Sequence, residues 1–164
     1  MKYILLLPFL IQGVLMLIDE FYFHRRRGLG PWERVGHPVD TLSVILVYGL
    51  MLVWPPTEGA VAVAAALSVF SCLLVTKDEF VHSKECEPLE NWIHALLFVL
   101  HPLVLISAFL LWPLRHLSEL PADWEWLEGF RGLEWHLLNL LFASLAMFVV
   151  QNAIWNLRPA KEAK

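Results

Sequence analysis

Two short stretches of the chain concentrate side chains that can bind metal or move protons. The first reads Asp19-Glu20-Phe21-Tyr22-Phe23-His24 and then Pro31-Trp32-Glu33-Arg34-Val35-Gly36-His37; the second reads Asp78-Glu79-Phe80-Val81-His82 and then Pro88-Leu89-Glu90-Asn91-Trp92-Ile93-His94. Both follow one template: D-E-F, one or two residues, H, a short loop, then P-x-E-x-x-x-H. Residues three or four apart share a helix face. Glu20 with His24, Glu33 with His37, Glu79 with His82, and Glu90 with His94 therefore form four carboxylate–imidazole pairs, with Asp19 and Asp78 as alternative ligands. Pro31 and Pro88 suit the first helical turn, where a missing N–H costs nothing, and this places Glu33 and Glu90 near the positive end of a helix dipole.

Four carboxylates and four imidazoles brought together must repel, change protonation or share a cation. Mixed oxygen and nitrogen donors in equal number suit two iron ions, with manganese or zinc as alternatives, and carboxylates can bridge such a pair. The expected ligands are Glu20, His24, Glu33, His37, Glu79, His82, Glu90 and His94. A competing arrangement is a salt network in which these groups pair with Arg25, Arg26, Arg27 and Arg34. Around the set, Asp40 is three residues after His37 and can orient it, as carboxylates often do for metal-bound imidazole. His101 is seven after His94, about 10 Å further along the same face, and reads as an extra ligand, a pocket residue or a hydrogen-bonded interior histidine. Asn152, with Gln151 and Asn156, falls level with the proposed metals. The spacing resembles, in its site chemistry alone, the di-iron carboxylate four-helix proteins, in which Glu and Glu-x-x-His motifs project inward from helices.

The elements that must hold these groups are membrane spans. Hydrophobic residues make up 58% of the 164 and charged residues 17%, against roughly a quarter charged in soluble domains; the mean hydropathy is +0.58. Residues 3–18, 41–57, 59–76, 91–114 and 135–157 carry no Asp, Glu, Lys or Arg, and each run is close to the roughly 17 to 25 residues that cross a bilayer as a helix. The expected fold is an all-α integral membrane protein of five transmembrane helices forming a single membrane domain over 1–164. Repeat 1 covers about 3–54 and repeat 2 about 59–112, two parallel two-helix units making the first four helices a pseudo-twofold bundle. An amphipathic outer loop at 113–132 precedes the fifth span at 133–157.

Charge placement orients the chain. Arg25, Arg26, Arg27, Arg34, Lys77, Lys84, Arg158, Lys161 and Lys164 share one side, against Lys2, Arg115 and Arg131 on the other. The positive-inside rule then puts the N-terminus outside, and the C-terminus and metal site on the cytoplasmic side. The N-terminal apolar run reads as a span rather than a cleaved signal, since no small-residue cleavage site follows it. Cys72 and Cys86, in a span and beside a cytoplasmic loop, are not expected to form a disulfide.

The functional expectation is a membrane di-iron oxidoreductase, an oxidase or oxygenase taking a lipid-soluble substrate from the bilayer. Its electrons would come from a separate donor or from a quinol. The alternatives are a two-metal zinc or manganese hydrolase or transferase acting on lipid headgroups, and a metal transport or storage protein. No G-x-S-x-G, phosphate-binding glycine loop or C-x-x-C is present, which disfavours serine hydrolases, nucleotide enzymes and dithiol oxidoreductases. Nucleic acid is not an expected partner.

Overall fold

The computed structural model describes the backbone of residues 2–119 and 122–156, with side chains throughout these ranges except at positions 78, 79, 81–85, 122, 123, 125 and 126. Its long helices are α1 (Lys2–Arg27), α2 (Glu33–Val53), α3 (Glu58–Glu85), α4 (Pro88–Arg115) and α5 (His136–Asn156). All five are long and apolar enough to cross a membrane. Leu10, Val14, Val69, Leu73, Ile106, Leu110, Phe142 and Val149 are exposed on their outer surfaces. Helices apolar all round belong in a membrane or in a larger protein core. Each helix of the first four extends beyond its uncharged run at the end that bears the repeats, so the chemistry-bearing residues sit on helix rather than in loops.

The α1–α2 connection is tight. Gly28 closes α1 at φ +81°, a backbone setting that favours glycine, and its N–H returns to the His24 carbonyl at 2.8 Å. The Gly30 N–H then bonds Glu33 Oε2 at 2.8 Å, so the first acidic residue of α2 caps the turn that delivers it. Pro88 occupies the first turn of α4 as its spacing predicts.

The middle of the bundle packs Val47, Tyr48 and Met51 of α2 on Ala64 of α3, Val104, Leu105, Ala108 and Trp112 of α4, and Leu137 of α5. Ala64 and Ala108 are fully buried, and small side chains at such positions let helix backbones approach closely. At the end remote from the repeats, Leu127 of the α4–α5 connection joins Leu111, Leu114 and Leu133 in a second cluster, against which Leu5, Leu6 and Trp124 pack. That connection is a cap on the bundle: Ala122–Phe130 is helical, and Lys2 Nζ donates to the Arg131 carbonyl at 2.7 Å. α4 itself runs on through Pro113 to Arg115.

The fifth helix is not an accessory. α5 packs most extensively on α2, while α2–α3, α3–α4 and α1–α4 supply the other main interfaces. Among the described residues α1 and α2 touch little, although a twofold would make their pairing the counterpart of α3–α4. Gln151 and Trp155 of α5 instead bond Glu20 of α1. The helix order is thus α1, α4, α3, α2, α5, closing back on α1 at the repeat-bearing end.

Candidate metal centre

The site begins with a break in helical register. α1 is α-helical over Leu7–Ile18, then makes a π-helical turn over Asp19–Phe23 before resuming at His24. The His24 N–H bonds the Asp19 carbonyl, five residues back. This wider turn brings Asp19, Glu20, Phe23 and His24 inward together, and all four are buried; π-turns inside α-helices are frequent at functional sites. The extra residue is visible in the template. Two residues separate Phe21 from His24, but one separates Phe80 from His82, and α3 stays α-helical through that stretch.

His24 is the centre of the cluster and is fully buried. Its Nε2 lies 3.2 Å from Asp19 Oδ2 and 3.9 Å from Glu90 Oε1, and its Nδ1 lies 4.0 Å from Glu20 Oε2. His94 Nε2 is 2.9 Å from Asp19 Oδ1. The His37 ring stands with its centroid 4.7 Å from that of His24. Two groups of donors result, Asp19–His24–Glu90–His94 and Glu20–His24–His37, each with ligand atoms within 4.8 Å of one another. Bonds of about 2.0 to 2.2 Å to a common ion place opposed ligand atoms up to roughly 4.4 Å apart, so small side-chain movements suffice to close either group on a cation. The groups share His24 and approach it from its two ring nitrogens.

Surrounding residues hold the ligands. The Trp155 indole N–H donates to Glu20 Oε1, Gln151 Nε2 donates to Glu20 Oε2 at 3.3 Å, and Thr41 Oγ1 donates to Gln151 Oε1 at 2.9 Å. Such outer contacts fix the orientation of metal-binding carboxylates. Arg27 forks onto Glu33, Nη2 to Oε1 at 2.6 Å and Nη1 to Oε2 at 3.0 Å. The same guanidinium reaches Glu90 Oε1 from Nε at 3.2 Å and from Nη2 at 3.1 Å. Among the described residues, Asp19 and Glu20, by contrast, meet imidazoles and neutral donors. Four buried carboxylates thus share a region in which Arg27 engages two, and the remaining negative charge calls for protons or metal. The donor set could hold a metal ion.

Of the sequence-predicted ligands, Glu20, His24, His37, Glu90 and His94 are brought together, and Asp19 joins them as a full member. Glu33 is adjacent but lies in the Arg27 pair and in neither donor group. The side chains of Asp78, Glu79 and His82 lie outside the described residues. Asp40 lines the cavity next to the cluster. Asn152 turns its amide to the Phe148 carbonyl of its own helix at 2.8 Å. His101 stands off from both donor groups, its Nε2 2.9 Å from Ser71 Oγ. Thr41 and Trp155 are site residues that spacing did not single out, whereas Arg27 pairs with Glu33 and Glu90 as in the competing salt network; the available signal for the former was Gln151 and Trp155, four apart on one face of a nearly uncharged helix. Cys72 and Cys86 are both free thiols, and burial pushes the Cys86 thiol up, which keeps it protonated at neutral pH.

A cavity of about 340 Å³ runs from the cluster into the bundle. Asp19, Glu20, His37 and His94 form one end, and its walls are largely apolar, including Phe9, Met16, Val44, Leu97 and Met147. Leu17 and Phe98 line it yet are about half exposed, so the cavity meets the outer apolar surface of the bundle. No known family model matches the chain, and no curated protein and no solved structure is found to be similar to it.

Proposed function

We propose that this is a membrane dinuclear-metal protein, with iron the metal its donors fit best, acting as an oxidase or oxygenase on a lipid-soluble substrate. The observation that carries the reading is the pair of buried donor groups sharing His24 at the end of an apolar cavity. Asp19, Glu90 and His94 would hold one ion, Glu20 and His37 the other, with His24 between them. Bound iron supplies the capacity to reduce dioxygen. The protein's own part is to orient Glu20 through Trp155 and Gln151, exclude bulk water, and admit an apolar substrate laterally. The charge distribution supports an orientation with this end cytoplasmic.

A lipid-headgroup hydrolase is less well supported, because Arg27, the cation aimed into the site, is engaged by two carboxylates and the cavity beside the cluster is apolar. The Arg27–Glu33–Glu90 pairing does favour one second reading, a buried salt network that closes the bundle without metal. Oxygen chemistry separates the two. Protein loaded anaerobically with ferrous iron is expected to change its near-ultraviolet and visible absorption when oxygen is admitted, and His24→Ala is expected to abolish the change. An iron-loaded protein inert to oxygen would refute the oxidase reading.

A further inference from the structure

The cavity has a second polar level. α1 and α4 run antiparallel, joined at the metal end by Asp19–His94 and at the other end by Leu5 and Leu6 against Leu111 and Leu114. Gln12 is seven residues before Asp19 and His101 seven after His94, so both lie about 10 Å from the cluster, on facing helices, lining the same cavity. Gln12 Oε1 is enclosed and has no hydrogen-bond partner among the described residues. His101 is anchored through Nε2 on Ser71 Oγ, which lies 2.6 Å from Ser43 Oγ, and no protein bond among the described residues engages its Nδ1. Polar groups at mid-span are costly and are kept where they bind something. A hydrocarbon chain would have no use for them.

We propose that the cavity binds the ring of a para-quinol, one oxygen facing the metal cluster and the other held by Gln12 and His101. The length fits: seven residues rise about 10.5 Å, and subtracting a contact of about 2.8 Å at each end leaves about 4.9 Å, against the roughly 5.5 Å between the oxygens of a para-quinol. The volume fits as well, since 340 Å³ lies at the small end of the range for ligand sites of about 300–1,000 Å³, enough for a substituted ring but not for its tail. The tail would leave past Leu17 and Phe98 into lipid. Gln12 and His101 Nδ1 together offer donor and acceptor atoms, as a ligand that alternates between hydroxyl and carbonyl oxygen requires.

Quinol supplies what the oxidase reading otherwise lacks, a source of electrons. Two quinols give up four electrons and four protons and become two quinones, and one dioxygen takes these up to become two waters. The electron acceptor in this inference rests on the dinuclear reading; ring binding does not.

The test is binding of a decyl-tailed benzoquinone to the purified full-length protein, followed by quenching of tryptophan fluorescence, before and after chelation of metal. Saturable binding is expected in both states. Gln12→Leu and His101→Leu are each expected to weaken it about tenfold, the loss of one buried hydrogen bond, at unchanged metal content, while Gln12→Asn retains most of the affinity. Equal affinity in wild type and Gln12→Leu, or displacement of the quinone by hexadecanol at equal concentration, overturns the proposal. Absence of quinone binding in protein that holds two metals and reacts with oxygen removes this inference alone; quinone binding in protein that takes up no metal removes the dinuclear reading alone.

Discussion

His24 offers one ring nitrogen to Asp19 and Glu90 and the other to Glu20, so one side chain serves both donor groups. Arg27 performs the opposite task, bridging Glu33 and Glu90 where water is scarce. Removing it leaves two buried carboxylates short of their partner, a change that typically costs about 3–5 kcal/mol. Arg27→Gln is therefore expected to lower the unfolding midpoint in detergent markedly, and Arg27→Lys to restore only part of it because a lysine cannot fork onto a carboxylate; a midpoint unchanged in Arg27→Gln would show that the pairing contributes little. Much of the site could be read from residue types and spacing alone: Glu20, His24, His37, Glu90 and His94 follow from the repeated template. Glu33 looks equivalent to Glu90 by that same template, and the difference lies in Arg27. A sequence pattern does not say which carboxylate a guanidinium, reaching across a tight glycine turn, will take first.

The decisive element is the π-turn of α1. In a regular α-helix Asp19 and Glu20 diverge by about 100° and could not both face His24 and its neighbours; the wider turn makes both inward-facing. The cause was present in the sequence as the one extra residue before His24, though spacing alone assigned Glu20 the leading role and Asp19 that of substitute. Deleting Phe21, which is exposed, should convert the turn to α-helix and rotate the part of α1 that carries Asp19 and Glu20 by about 100° relative to the part that carries His24, so that the Asp19–His94 and Glu20–Trp155 contacts cannot be kept with His24 in its present place. Such a protein is expected to keep its helical circular dichroism and lose half or more of its bound metal. Retention of the full complement would mean that the turn does not organise the ligands.

Across the bundle, five helices long and apolar enough to cross a membrane follow directly from five uncharged runs, because hydropathy and length leave few alternatives for segments of that kind. The seat of α5 was not legible. Its surface is apolar nearly all round, the one polar face that Gln151 and Trp155 mark does not say which helix it meets, and a repeat confined to α1–α4 says nothing about a fifth helix. The structure seats it against α2 and on Glu20, where it completes the site as well as the wall of the cavity. The lopsided placement of arginine and lysine predicts that a C-terminal green fluorescent protein fusion fluoresces in a bacterial host while a C-terminal alkaline phosphatase fusion stays inactive; the reverse pattern would invert the assigned orientation. The proposed centre is two metal ions sharing His24. Its most direct test is the metal content per chain of protein purified without added metal, with Asp19→Asn, Glu20→Gln and His24→Ala measured alongside. Two irons in the wild type, about one in each carboxylate variant and fewer than one in His24→Ala is the predicted result. A folded wild-type protein that carries no metal and binds none when iron is supplied would contradict it and leave the cluster as a buried salt network.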